Sequence, residues 1–133
     1  MAKEMKISPD KINLLPMLVF SHASLRANKK SQSKDFYGAI FECTEGIKLN
    51  PSDDTCYLER GNSKYLLNDF KGSIADLTKA IKINRYNYFA YFLRGQSNNQ
   101  LGNKGEACED YRRSSILGFQ PATESLQKLS DCR

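Results

Sequence analysis

Residues 57–84 read YLERGNSKYLLNDFKGSIADLTKAIKIN, and sliding this stretch along the chain decides the fold. Moved back until Arg60-Gly61-Asn62 falls on Arg26-Ala27-Asn28, it also sets Asp69-Phe70 on Asp35-Phe36, and Thr78 to Asn84 on Thr44 to Asn50. Between 21–51 and 55–85, eleven positions are identical without a gap. Moved forward by the same step, Tyr57, Arg60, Gly61, Ser63, Leu67 and Asp76 meet Tyr91, Arg94, Gly95, Ser97, Leu101 and Asp110. One offset held over such a distance is an internal repeat, the mark of stacked supersecondary units rather than of one irregular core.

Within each unit the apolar residues recur at three and four positions, as Ile74, Leu77 and Ile81 do, which is helical spacing. Each unit is broken near its middle, at Lys34-Asp35, Asn68-Asp69 and Gly102-Asn103. Glycine or asparagine suits the left-handed position after a helix, and Asp or Asn caps the next one. A further break falls at Asn50-Pro51-Ser52-Asp53, where proline stops a helix. The pattern predicts helices at about 20–33, 36–49, 54–67, 70–83, 88–101 and 104–117, with a last one over Ala122–Cys132 covering the open end.

With that period, the aromatics Tyr57 and Tyr91, the small residues Ala27, Gly61 and Gly95, and Ala39, Ser73, Ala80 and Ala107, the chain resembles the tetratricopeptide repeat (TPR) family. Pro51 stands where that pattern closes a unit, whereas Ala23, Arg85 and Ser114 depart from it. The resemblance implies an all-α, right-handed superhelical solenoid of antiparallel helix pairs. Its units are 20–53, 54–87 and 88–120, with an N-terminal arm or short helix over 1–19 and a capping helix over 121–133. Close helix crossing explains the small residues, since a large side chain there would force the backbones apart. Arg26 and Glu42, Arg60 and Asp76, and Arg94 and Asp110 stand at one constant separation, which predicts a repeated arginine–carboxylate bridge within the units.

The first helices of TPR units line a concave face, so the resemblance also assigns a candidate groove. In the first unit it holds Ser21, Ser24, Leu25 and Asn28; in the second, Thr55, Leu58, Glu59, Asn62 and Tyr65; in the third, Phe89, Phe92, Leu93, Gln96 and Asn99. Amides beside aromatic rings suit an extended peptide, whose backbone bonds the amides while its apolar side chains seat on the rings. The expected function is protein or peptide binding without catalysis. Alternatives are an assembly or stabilising subunit acting through its outer surface or a homodimer, and, more remotely, a basic nucleic-acid binder. TPR proteins that hold acidic chaperone tails carry lysine, asparagine, asparagine, lysine and arginine where this chain has Ser24, Asn28, Glu59, Phe89 and Leu93. Only Asn28 agrees and Glu59 repels a carboxylate, so no acidic-tail clamp is expected.

The net charge of +5 is spread along the chain, with small clusters at Lys29-Lys30 and Arg112-Arg113 and no nucleic-acid motif. One histidine, no tryptophan and no CxxC or zinc spacing predict neither a cofactor, nor a metal, nor a catalytic constellation. Cys43 and Cys56 lie on helices expected to stack, and Cys108 and Cys132 meet if the last helix folds back. Buried free thiols are the favoured reading for all four, with an oxidised form the alternative in an exported protein. The apolar run Ile12–Phe20 is far shorter than the ~20 residues of a membrane span. It reads as part of the arm, or less favourably as the core of a cleaved signal ending near Ala23, which would cut into the first unit. An intracellular location is favoured.

Overall fold

In the computed structural model, which describes residues 15–132 and the side chains of 23–130 and Cys132, the chain is a row of helices. They are α1 (Leu15–Gln32), α2 (Phe36–Leu49), α3 (Asp54–Leu66), α4 (Phe70–Ile83), α5 (Tyr88–Gln100), α6 (Lys104–Ile116) and α7 (Gln120–Lys128), then a 3-10 turn at Ser130–Cys132. There is no strand among the described residues. Residues 15–19 are already helical and continuous with the first described helix, ahead of the expected start near residue 20. Of the expected arm or short helix over 1–19 and the signal reading that ends near Ala23, residues 1–14 lie outside the described residues.

The turns follow from side-chain chemistry that repeats with the sequence. Asp35 and Asp69 cap α2 and α4 through their carboxylates, which accept from the N–H of Gly38 and Gly72, each at 3.0 Å. Asp53 caps α3 by accepting from the amides of Thr55 and Cys56, and Asn87 caps α5 by accepting from Ala90. The left-handed residue that ends each first helix is Lys34, Asn68 and Gly102 in turn, with φ of 65°, 64° and 80°. After each of the first two units an asparagine shapes the turn, its carbonyl accepting from Ser52 in one case (Asn50) and Tyr86 in the other (Asn84). That is why Arg85 can stand where Pro51 stands one unit earlier.

Helices α1 and α2, α3 and α4, and α5 and α6 pack as pairs, and each pair stacks on the next. The first helices α1, α3 and α5 also touch their counterparts in neighbouring units, while the second helices do so far less. The stack therefore curves with α1, α3 and α5 inside. Crossings are sized by complementary residues. Gly61 faces Leu77 and Gly95 faces the Tyr111 ring, and a Cβ on either glycine would come within 3 Å of that partner. One unit earlier the same register positions are Ala27 and Cys43, both fully buried in one cluster. A larger core, of Tyr57, Leu77, Ala80, Ile81, Ala90 and Leu93, fills the space between the second and third units.

The arginine bridges form in all three units. Arg60 binds both oxygens of Asp76, at 2.8 and 2.7 Å, and Arg94 binds both of Asp110, at 2.9 and 2.7 Å. Each arginine also donates to a threonine of the preceding unit, Arg60 to Thr44 and Arg94 to Thr78, so the bridge ties stacked units together. Each lies over the tyrosine ring one turn earlier in its helix, Tyr57 or Tyr91. Arg26 makes a single 2.9 Å bond to Glu42, with Lys30 on the other oxygen at 3.3 Å. Ser114, in place of a packing alanine, donates to the Tyr88 carbonyl at 2.8 Å, so its buried hydroxyl is satisfied.

The cysteines correct the sequence reading in part. Cys43 and Cys56 are buried and free, as favoured, and each lies against the other across α2 and α3, which pushes the Cys43 thiol far above its ordinary pKa. Cys108 and Cys132 are joined in a disulfide with their Cα atoms 5.3 Å apart. The turn at Leu117–Phe119 sends α7 back over α6, and that reversal, invisible as spacing, brings the two together.

Candidate functional site

The inner face is polar at its start and aromatic at its end. From α1, Gln32 donates to the Asn28 carbonyl at 2.8 Å, and Asn28 donates to Glu59 Oε1 on α3 at 3.2 Å. This relay joins the first unit to the second. Ser31 and Ser63 add a 3.1 Å hydroxyl pair between the same helices. Glu59 Oε2 is sealed from solvent and accepts no hydrogen bond among the described residues. Burial raises the pKa of this carboxyl, and the bond from Asn28 offsets the rise only in part. Asn62 lies half-buried one turn further along α3. Tyr65 follows, its ring edge-on to Phe70 at 5.6 Å.

In the third unit Phe89 and Phe92 are stacked with centroids 6.4 Å apart. Phe119, at the entrance to α7, sets its edge against both, at 6.0 and 5.1 Å, and stacks on Tyr88 at 5.1 Å. Phe92 also meets Tyr111 at 5.9 Å. The Tyr111 hydroxyl donates to the Gln96 carbonyl, and burial, with Tyr65 and Asp110 near by, pushes its pKa up to about 12. The Asn99 carbonyl accepts from Lys104 at 3.3 Å.

The structure thus joins Asn28 to Glu59 and Phe89 to Phe92, and leaves Asn62, Tyr65, Gln96 and Asn99 along the same helices. One expected groove residue is placed otherwise. Leu93, only 5% exposed, belongs to the core between units, because at this point α5 turns its leucine toward Tyr57 and Leu77. Leu58, Tyr65 and Phe89 pack against that same core with part of their surface showing. Sequence reasoning misses Phe119 and Tyr111. Tyr111 is legible in the register, as the third residue of the series Cys43, Leu77, Tyr111; Phe119 stands at the register position of Pro51 and Arg85, which carry no ring to betray it.

Chemically the face offers amide donors and acceptors, ring surfaces and one carboxylate. Among the described residues no three His, Cys, Asp or Glu side chains gather as a metal site, and no helix is long and apolar enough to cross a membrane.

Residues 55–87 and 90–114 match the family model of the tetratricopeptide repeat. No curated protein sequence matches the chain. Among solved structures, a TPR domain of Arabidopsis OM64 is similar, with 29% identity, a TM-score of 0.78, and 85% of this chain and 98% of that one covered. The first TPR of Spaghetti (RPAP3), bound to the HSP90 peptide SRMEEVD, gives 26% and 0.79 over 84% and 90%. The first TPR domain of human RPAP3 gives 25% and 0.76 over 90% and 92%.

Proposed function

Given that the chain is a tetratricopeptide repeat protein of three units and a capping helix, we propose that it binds an extended segment of a partner protein along α1, α3 and α5 and performs no catalysis of its own. What supports this is that Asn28, Asn62, Gln96 and Asn99 share consecutive first helices with Phe89 and Phe92. An extended peptide has an unpaired N–H and C=O at every residue, and amides meet both, while its apolar side chains bury against rings. The similar Spaghetti domain holds an HSP90 peptide, which supports the peptide class. An acidic tail is the wrong ligand for this chain, since Glu59 stands in mid-groove where a carboxylate would have to approach. Affinity capture with the native protein and with the Asn62→Ala/Phe89→Ala double variant tests the proposal. Partners retained by the native protein and lost by the folded variant support it; equal capture by both overturns it.

A second reading has its own observation. Tyr37 and Phe41, one turn apart on α2, are 76% and 62% exposed, and Ile116 on α6 is 81% exposed. Apolar side chains on the second helices favour assembly through the outer surface, with a partner subunit or a second copy. Capture insensitive to the groove variant but lost with Tyr37→Ser/Phe41→Ser distinguishes it.

A further inference from the structure

Among the groove positions of α1, α3 and α5, Glu59 alone carries a formal charge, in a protein whose net charge is +5. Basic residues near by are engaged elsewhere. Arg60 and Lys64 both hold Asp76 on the opposite side of α3, Lys30 holds Glu42, and Lys104 reaches Asn99 in the third unit. The only donor the described residues give Glu59 is the neutral amide of Asn28, on Oε1; Oε2 has none. A carboxylate drawn out of water without a cation among the described residues is an arrangement folding alone would not favour, because no ion pair there repays its desolvation. The elevated pKa of the group reports the same cost.

We propose that Glu59 is a receptor for a cation: the groove selects an extended peptide carrying a lysine or arginine, whose charged head pairs with Glu59 while an apolar residue of the same peptide seats on Phe89 and Phe92. This rests on the groove reading above and adds the chemistry of the ligand. The terminal torsion of a glutamate is broad, so a small rotation presents Oε2 to the groove while Asn28 keeps its hold on the carboxyl. The surrounding amides complete the hydrogen bonds of an ammonium or guanidinium, and the half-buried setting strengthens the pair beyond a surface ion pair. The selectivity is the reverse of an acidic-tail clamp.

The test uses short fluorescein-labelled peptides in which one lysine and one phenylalanine are set at successive spacings in a serine–alanine background. Matched peptides carry norleucine or glutamate in place of the lysine. Fluorescence anisotropy with the full chain is expected to show at least one spacing at which the lysine peptide binds about tenfold tighter than its norleucine match. Glu59→Gln is expected to abolish that preference, with circular dichroism checking that the variant is folded. If lysine, norleucine and glutamate peptides bind alike and Phe92→Ala abolishes all of them, the cation receptor is overturned and the groove stands. A preference for the glutamate peptide, or a lysine preference that survives Glu59→Gln, overturns the receptor as well. Binding by no peptide at any spacing overturns both readings.

Discussion

The first and second units share eleven identical positions and the same turns, yet they are held together differently. In the first, the described core is Ala23, Ala27, Ala39, Cys43 and Cys56. Its arginine is half exposed and makes one bond to Glu42. In the second, Tyr57, Leu77 and Ile81 pack as a core, and Arg60 makes two bonds to an Asp76 whose side chain is only 6% exposed. The lesson is that a repeat preserves spacing before it preserves energy. Replacing aspartate by the longer glutamate, and tyrosine by alanine, keeps the register but loosens the bridge, since the ring that Arg60 lies on has no counterpart beside Arg26. Small cores also give less apolar burial for each residue ordered.

The comparison can be broken most sharply at the crossings. Gly61→Leu would drive a side chain into Leu77, and a destabilisation of about 3 kcal/mol or more is expected in denaturant unfolding. Ala27→Leu, facing the smaller Cys43, should cost less; an equal cost would refute the size-matching of the two units. Next come the bridges. Asp76→Ala leaves Arg60 and Lys64 without their shared partner and should cost about 2–3 kcal/mol. Glu42→Ala should cost less than about 1 kcal/mol, with Arg26 free to turn to water. Equal losses would mean that exposure does not set the worth of these bridges.

A smaller effect is expected at the turn. Lys34 takes a left-handed φ of 65° that Gly102 takes freely, so Lys34→Gly should stabilise the protein by about 0.5–1 kcal/mol, with slower amide exchange in α1 as the local readout. The last contrast is between two carboxylates with opposite signs. The Arg26 hydrogen bond holds Glu42 below its ordinary value of 4.5, so its contribution is fully present above pH 4.5 and is lost as pH falls through the lowered folded pKa. Burial holds Glu59 above that value, so the folded state bears the cost of its charge at neutral pH. As pH falls through the raised folded pKa the folded state takes up its proton first and stability recovers, until both states are protonated below 4.5. Glu59→Gln should therefore raise the melting temperature modestly at pH 7, and the gain should vanish in acid. Parallel melting curves at two pH values check it; a gain that persists in acid would sink the assignment.

The fold was largely legible because its cause is periodic. Gly61, Asp69, Asn84 and Arg60 each announce a crossing, a cap, a turn or a bridge, and each has a counterpart at the same step along the chain, so local rules and long-range register agree. The groove was legible less evenly. Asn28, Glu59, Phe89 and Phe92 stand on the first helices as the register implied, but Leu93 went to the core, because which of two adjacent apolar residues faces inward depends on the rotation of α5 against α3. Phe119 falls at the register position of Pro51 and Arg85, which carry no ring, so the repeat gave no sign of it.

By itself, then, the sequence determined the helices, their order, their turns and the pairs of residues that meet across each unit, since all of these follow from spacing and from the geometry of single residues. The Cys108–Cys132 disulfide, the ring cluster that Phe119 completes with Phe89 and Phe92, and the Glu59 oxygen left without a partner among the described residues were decided only by tertiary structure. Each depends on a distance between elements with no repeating relation in the chain. For such distances the packing of whole helices, not the propensity of any residue, sets the outcome.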